Sequence, residues 1–182
     1  MGASYASGMI TSIEPKTGSW ILLVGPRSMN ATMLTTIARL GEAEAVRILD
    51  AGNRFNAYTV ARAARGRPEV LNRITVSRAF TCYQVLSLLE STPATTEPFV
   101  VLDMLSTFYD EAVQAGERKR LLRNCVIHLE RLERRAGGVV SVHPPKVPSA
   151  TAAELLGMLQ ASAEETYCAQ PLPVPPQPLR LF

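Results

Sequence analysis

The sequence predicts an α/β fold, an open and mostly parallel sheet with helices on both faces. Short apolar runs alternate with stretches of helical spacing, and that alternation implies right-handed crossovers between parallel strands. Several of the runs are apolar almost throughout, as strands buried on both faces of a sheet must be. At 182 residues the chain suffices for one domain with a sizeable core and is too short for two ordinary ones.

Taken in order, SWILLVG (19–25), AVRILDA (45–51), RITVSRAF (73–80), FVVLDML (99–105) and GVVSVH (138–143) read as strands, being rich in β-branched and apolar residues. Between them, ATMLTTIARLGEAEA, FNAYTVARAARG, CYQVLSLLEST and ERKRLLRNCVIHLERLERRAGG have helical spacing. In the last of these Leu121, Leu122, Val126, Leu129 and Leu132 fall on one face, and Gly137-Gly138 is expected to end the helix. After His143 the chain turns through PPKVPSA; TAAELLGMLQ then reads as a helix and ETYCA as one more strand, at an edge. From Pro171 the character changes. PLPVPPQPLRLF has five prolines in its first eight residues, so it neither pairs centrally in a sheet nor coils into a helix. The expected organisation is an N-terminal extension over 1–16, a domain over 17–170 and a proline-rich, extended arm over 171–182.

Composition narrows the function classes. The chain is 47% hydrophobic and 19% charged, an ordinary balance for a folded soluble domain, and its net charge of +3 is low for a dedicated nucleic-acid binder. Cys82, Cys125 and Cys168 are far apart and odd in number, which suggests neither a disulfide framework nor a zinc site and fits a reducing cytoplasm. No apolar run reaches the roughly 18 residues of a membrane span, and no signal pattern opens the chain. A cytoplasmic location away from membranes is expected.

An α/β sheet of this kind places ligands at the carboxyl ends of its strands, and the stretch GPRSMNAT (25–32) lies at one such end. A phosphate-binding loop GxxxxGK[ST] works through backbone amides at a helix N-terminus, a lysine on the outer phosphates and a hydroxyl on magnesium. On that frame Gly25 holds the first position and Thr32 the last, while Asn30 replaces the second glycine and Ala31 the lysine. The two-position match is weak by itself.

The flanking chain strengthens it. TGSWILLVGPRSMNATML, ILDAGNRF with Asp50 and Phe55, the stretch through RITVSRAFTCYQVLSLLE, FVVLDMLSTFYDE and AVQAGERKRLLRNCVIHLERLERRAGGVVSV follow one another in an order and spacing that resembles the RecA-type recombinase ATPases, over about residues 17 to 143. The archaeal and eukaryotic recombinase branch is the most similar. The resemblance implies a P-loop NTPase core, with Asp103 at the magnesium-associated position and the segment around Arg118, Lys119 and Arg120 just after the first DNA-contacting loop.

The departures from the family pattern are as informative. The glutamate that polarises the attacking water is replaced by Gly52, the loop lysine by Ala31, and the γ-phosphate-sensing Asn-Gln pair by His143-Pro144; the second DNA-binding loop is shortened to PPKVPSA. Asn30 also puts a side chain where glycine lets the backbone approach phosphate. A degenerate core without ATP hydrolysis, catalytic residues, resident cofactor or metal is therefore expected. Gly25, Arg27, Thr32 and Asp103 remain as what is left of the nucleotide site. Plainer readings stand beside these: Asp103 as a hydrogen-bonding strand-end residue, Thr32 as an ordinary first-turn residue, and His128 and His143 as lone histidines without a nucleophile.

Two further segments bear on partners. ERKRLLRNCVIHLERLERR carries seven basic residues against three glutamates. It reads either as a solvated helix face with a Glu130–Arg134 pair or, through Arg118, Lys119 and Arg120, as a weak and salt-sensitive DNA contact. The terminal QPLRLF resembles the bacterial sliding-clamp-binding peptide, with Gln177, Leu179, Leu181 and Phe182 at the matching positions. The competing reading folds Leu181 and Phe182 back onto the domain. Together these features resemble the RecA-like accessory proteins of bacterial mutagenic translesion synthesis. They imply a nucleoid-associated, non-catalytic adaptor for the sliding clamp and a recombinase or translesion polymerase subunit. Two alternatives stay open: an ATP-binding or slow ATPase regulator using Asp103, Thr32 and Arg27, and a non-specific DNA-binding module.

Overall fold

Six strands pair into one sheet of order β3-β2-β4-β5-β1-β6 in a computed structural model that describes Ile13 and residues 15–169. They are β1 (Trp20–Val24), β2 (Val46–Asp50), β3 (Ile74–Arg78), β4 (Phe99–Leu102), β5 (Gly138–Val142) and β6 (Glu165–Cys168). Every pairing is parallel, so each connection is a crossover, and the expected edge strand ETYC pairs outside β1.

The helices are α1 (Asn30–Ala43), α2 (Ala57–Ala63), α3 (Glu69–Asn72), α4 (Cys82–Ser91), α5 (Ala115–Glu133) and α6 (Ala150–Ser162). Side-chain alternation along the strands assigns them to two layers. Trp20, Leu22, Val101, Val140 and Val142 pack with Val85 and Leu89 of α4, Leu122 and Leu129 of α5, and Leu155 and Leu159 of α6. Leu23, Ile48, Val100, Leu102 and Val139 face the other way, against Met33 and Ile37 of α1, Val60 of α2 and Val70 of α3. The near-continuous apolar character of the central strands is thus the signature of burial on both faces. Asn56, Thr81 and Ser149 cap α2, α4 and α6, each accepting a hydrogen bond from the amide three residues on. No helix among the described residues is long and apolar enough to cross a membrane.

Two details differ from the sequence expectation. The four-residue α3, entered through Pro68, has no periodicity to announce it. The pair Gly137-Gly138 does not end α5, which stops at Glu133 where the Gly18 amide donates to the Glu133 carbonyl at 2.8 Å. The glycines serve close approach instead. A β-carbon on Gly138 would lie 2.1 Å from Phe99 Cζ, and one on Gly137 would lie 2.4 Å from the Pro15 carbonyl oxygen. Gly138 sits in register between Trp20 and Phe99, so neither flanking strand yields without losing its pairing. Gly138→Ala is expected to destabilise the domain by about 1–3 kcal/mol through overpacking, measured by urea unfolding.

Candidate functional site

The carboxyl ends of β1, β2, β4 and β5 converge on a cluster of polar groups built around two buried carboxylates. Asp50, the last residue of β2, is fully buried. Its two oxygens accept the amides of Arg54 at 2.8 Å and Phe55 at 3.0 Å, and Arg78 at the end of β3 places Nε 3.3 Å away. Asp103, immediately beyond β4, is 1% exposed and has a left-handed backbone, φ +51°. That conformation is costly for most residues and milder for aspartate, and here it is held from several sides. The Asp103 amide donates to Ser141 Oγ at 2.9 Å, and Oδ1 accepts the His143 amide at 3.1 Å. Oδ2 accepts Arg54 Nε at 2.8 Å. Burial pushes the Tyr109 hydroxyl pKa well above its ordinary value, and the negative charge of Asp103 adds to the shift.

The loop after β1 takes a different course from a phosphate cradle. It enters a 3-10 turn at Arg27–Met29 and passes straight into α1. The Met29 amide donates to the Pro26 carbonyl, and the Asn30 amide is shared between the carbonyls of Arg27 and Ser28. The Met29 and Asn30 amides are therefore already satisfied by the chain. The Asn30 side chain reaches across to the loop beyond β2, Nδ2 donating to the Arg54 carbonyl at 3.1 Å. Met29 is buried, and a β-carbon on Gly25 would meet both Met29 Sδ at 3.0 Å and Ala169 Cβ at 2.9 Å. His143 Nδ1 donates to the Gly25 carbonyl at 2.9 Å, which leaves Nε2 buried without a hydrogen-bond partner. Arg27 and Ala31 point outward, while Thr32 lies partly buried in the first turn of α1.

Gly52 has no room for a larger residue: a β-carbon there would fall 2.5 Å from Asp103 Cβ and 2.8 Å from Oδ2. The position at which the resemblance expects a catalytic glutamate is closed by Asp103 itself.

No protein-family model and no curated protein matches the sequence. Among solved structures, that of the RadB recombinase is similar over 88% of this chain and 78% of its own, with a TM-score of 0.63 at 17% identity. The six-stranded α/β fold is similar to that of a RecA-like recombinase.

Within this RecA-like fold the expected site residues separate into three groups. Gly25 and Asp103 are linked through His143, whose ring hydrogen-bonds the Gly25 carbonyl and whose amide hydrogen-bonds the Asp103 carboxylate, while Arg27 is exposed and Thr32 is partly buried in α1. Arg118, Lys119 and Arg120 on α5 each have intramolecular partners. Arg118 is buried and donates to the Phe108 carbonyl at 3.1 Å, Lys119 pairs with Glu154, and Arg120 grips Glu117 at 2.7 and 2.8 Å. Further along, Arg131 caps the carbonyl end of α4, donating to Leu89 and Thr92 at 2.9 and 2.8 Å. Gln177, Leu179, Leu181 and Phe182 lie outside the described residues.

Arg54 and Arg78 are the residues that sequence reasoning misses. The signal was present: an aspartate ending an apolar strand must find a partner once buried, and each arginine lies at or just beyond the end of a neighbouring strand. Cys82 and Cys125 are buried free thiols between α4 and α5, and burial pushes the Cys125 pKa up to about 12.

Proposed function

We propose that this protein is a non-catalytic RecA-like adaptor in DNA repair, recombination or translesion synthesis, joining a repair partner to the replication sliding clamp through its C-terminal peptide. One observation carries the non-catalytic half: at the strand ends where a triphosphate would bind, the chain's own groups bond to one another. Arg54 is paired to Asp103, the Met29 and Asn30 amides are used, and Gly52 has no space for a glutamate. A phosphoryl-transfer site needs free donors aimed at developing charge and a group that orients the nucleophile. The clamp-binding half rests on the sequence QPLRLF, and the repair setting on the likeness to a recombinase.

Thermal unfolding with ATP and magnesium tests the reading. A ligand at a hundred times its Kd stabilises a folded protein by about 2.7 kcal/mol, which for a domain of this size raises Tm by roughly 5–10 °C. No shift is expected at 1 mM ATP. A shift of several degrees that requires magnesium would replace this reading with the ATP-binding regulator.

A further inference from the structure

We infer that Arg54 is a built-in counter-ion, occupying with its guanidinium the carboxylate that the family resemblance assigns to magnesium, so that the domain is charge-balanced and closed without any ligand. The inference rests on the non-catalytic reading above and names the residue that replaces the ligand.

The charge inventory at the strand ends supports it. Asp50 and Asp103 are almost wholly removed from water, and a buried carboxylate is tolerated only when paired and hydrogen-bonded. Two arginines meet that demand. Arg54 touches both carboxylates, its amide donating to Asp50 Oδ1 and its Nε to Asp103 Oδ2, so one residue fastens the end of β2 to the end of β4. Arg78 balances Asp50 from β3, and its Nη2 also donates to the Phe55 carbonyl at 3.2 Å. His143 completes the arrangement from β5: its amide goes to Asp103 and its ring to Gly25, so β1 is tied in as well.

The residues present do not fit a magnesium–triphosphate complex. A divalent cation at Asp103 would meet a guanidinium already hydrogen-bonded there, with its side chain 22% exposed and therefore poorly screened. Arg54 itself is positioned by its own backbone hydrogen bond four residues after Asp50, and Asn30 holds the Arg54 carbonyl from α1. In a ligand-switched domain the charge at this point comes and goes. In this chain it is covalently attached, which leaves the RecA-like surface in one permanent state suited to constitutive docking.

Full-length protein carrying Arg54→Met, Arg54→Lys or Arg54→Met with Asp103→Asn tests this by thermal unfolding in EDTA and in millimolar Mn²⁺, with no nucleotide present. The expected results are a wild type indifferent to Mn²⁺, an Arg54→Lys variant close to it, and an Arg54→Met variant melting several degrees lower that regains part of the loss in Mn²⁺. The double variant, having no charge to balance, melts above Arg54→Met. The inference is overturned if Arg54→Met melts like wild type, if its loss is untouched by Mn²⁺, or if the double variant is no better than the single one. Should Arg54→Met fail to fold, a folded double variant supports the charge balance and an unfolded one overturns it. These readouts are independent of ATP, so this inference and the non-catalytic reading fail separately.

Discussion

Asp50→Ala is expected to destabilise the domain by about 3–5 kcal/mol, chiefly because two backbone amides lose their buried acceptor, the Arg78 side chain being itself 43% exposed. The carboxylate is fully buried and accepts two backbone amides besides facing Arg78. Its loss strands the amides of Arg54 and Phe55 and leaves the guanidinium without its buried counter-charge. Desolvated groups left unsatisfied, rather than the lost attraction, account for most of the cost. Total stabilities are typically 5–15 kcal/mol, so the variant sits near the edge of folding, with Tm lower by roughly 6–20 °C. Asp50→Asn keeps the volume but turns an acceptor into a donor facing donors, so it rescues little. The control is the pair Arg47–Glu97, at 2.6 Å but with the glutamate side chain 39% exposed. Solvent screening holds Glu97→Ala to within about 1 kcal/mol. Denaturant unfolding of the two variants checks the contrast; an Asp50→Ala loss under about 1 kcal/mol would mean that water reaches the strand ends.

The same contrast between local pattern and long-range partner decides what the sequence reveals. All six strands are legible because period-two and continuous apolar runs are local properties, and ETYC could be placed at an edge because its apolar content is too low for a central strand. The strand-end position of Asp103 is equally readable from FVVLD. The reason for Gly138 is not, because the ring of Phe99 reaches it only through the β4–β5 register, 39 residues apart in the chain. Arg54 and Asp103 are likewise joined across 49 residues. Arg118 is an instructive intermediate case. It precedes Leu121 and Leu122 by three and four residues and so lies on the apolar stripe of α5, where it is buried against Phe108. Reading the charge run as one surface overlooks that helical position. The local run offered a solvated face or a phosphate contact; the fold commits four of its seven basic residues to a buried tie, two surface ion pairs and a helix cap.

Removing Gln177–Phe182 is expected to abolish sliding-clamp binding while leaving the Tm of the domain unchanged. In the proposed docking, the peptide mode would let so few residues suffice. An extended segment needs no folding of its own beyond loss of chain entropy, and its affinity concentrates in apolar anchors that fill a pocket. Leu181→Ala and Phe182→Ala are each expected to cost about 2 kcal/mol, close to thirtyfold in Kd, and Gln177→Ala about 1 kcal/mol, close to fivefold, for one lost hydrogen bond. Titration of purified clamp against wild type, the truncation and the three point variants measures the ranking, and thermal unfolding of the truncation separates docking from packing. If Leu181 and Phe182 instead fold back onto the core, their removal exposes apolar surface and Tm falls; a lower Tm with clamp binding intact would take the peptide out of the proposal and leave the RecA-like domain as the clamp-binding surface.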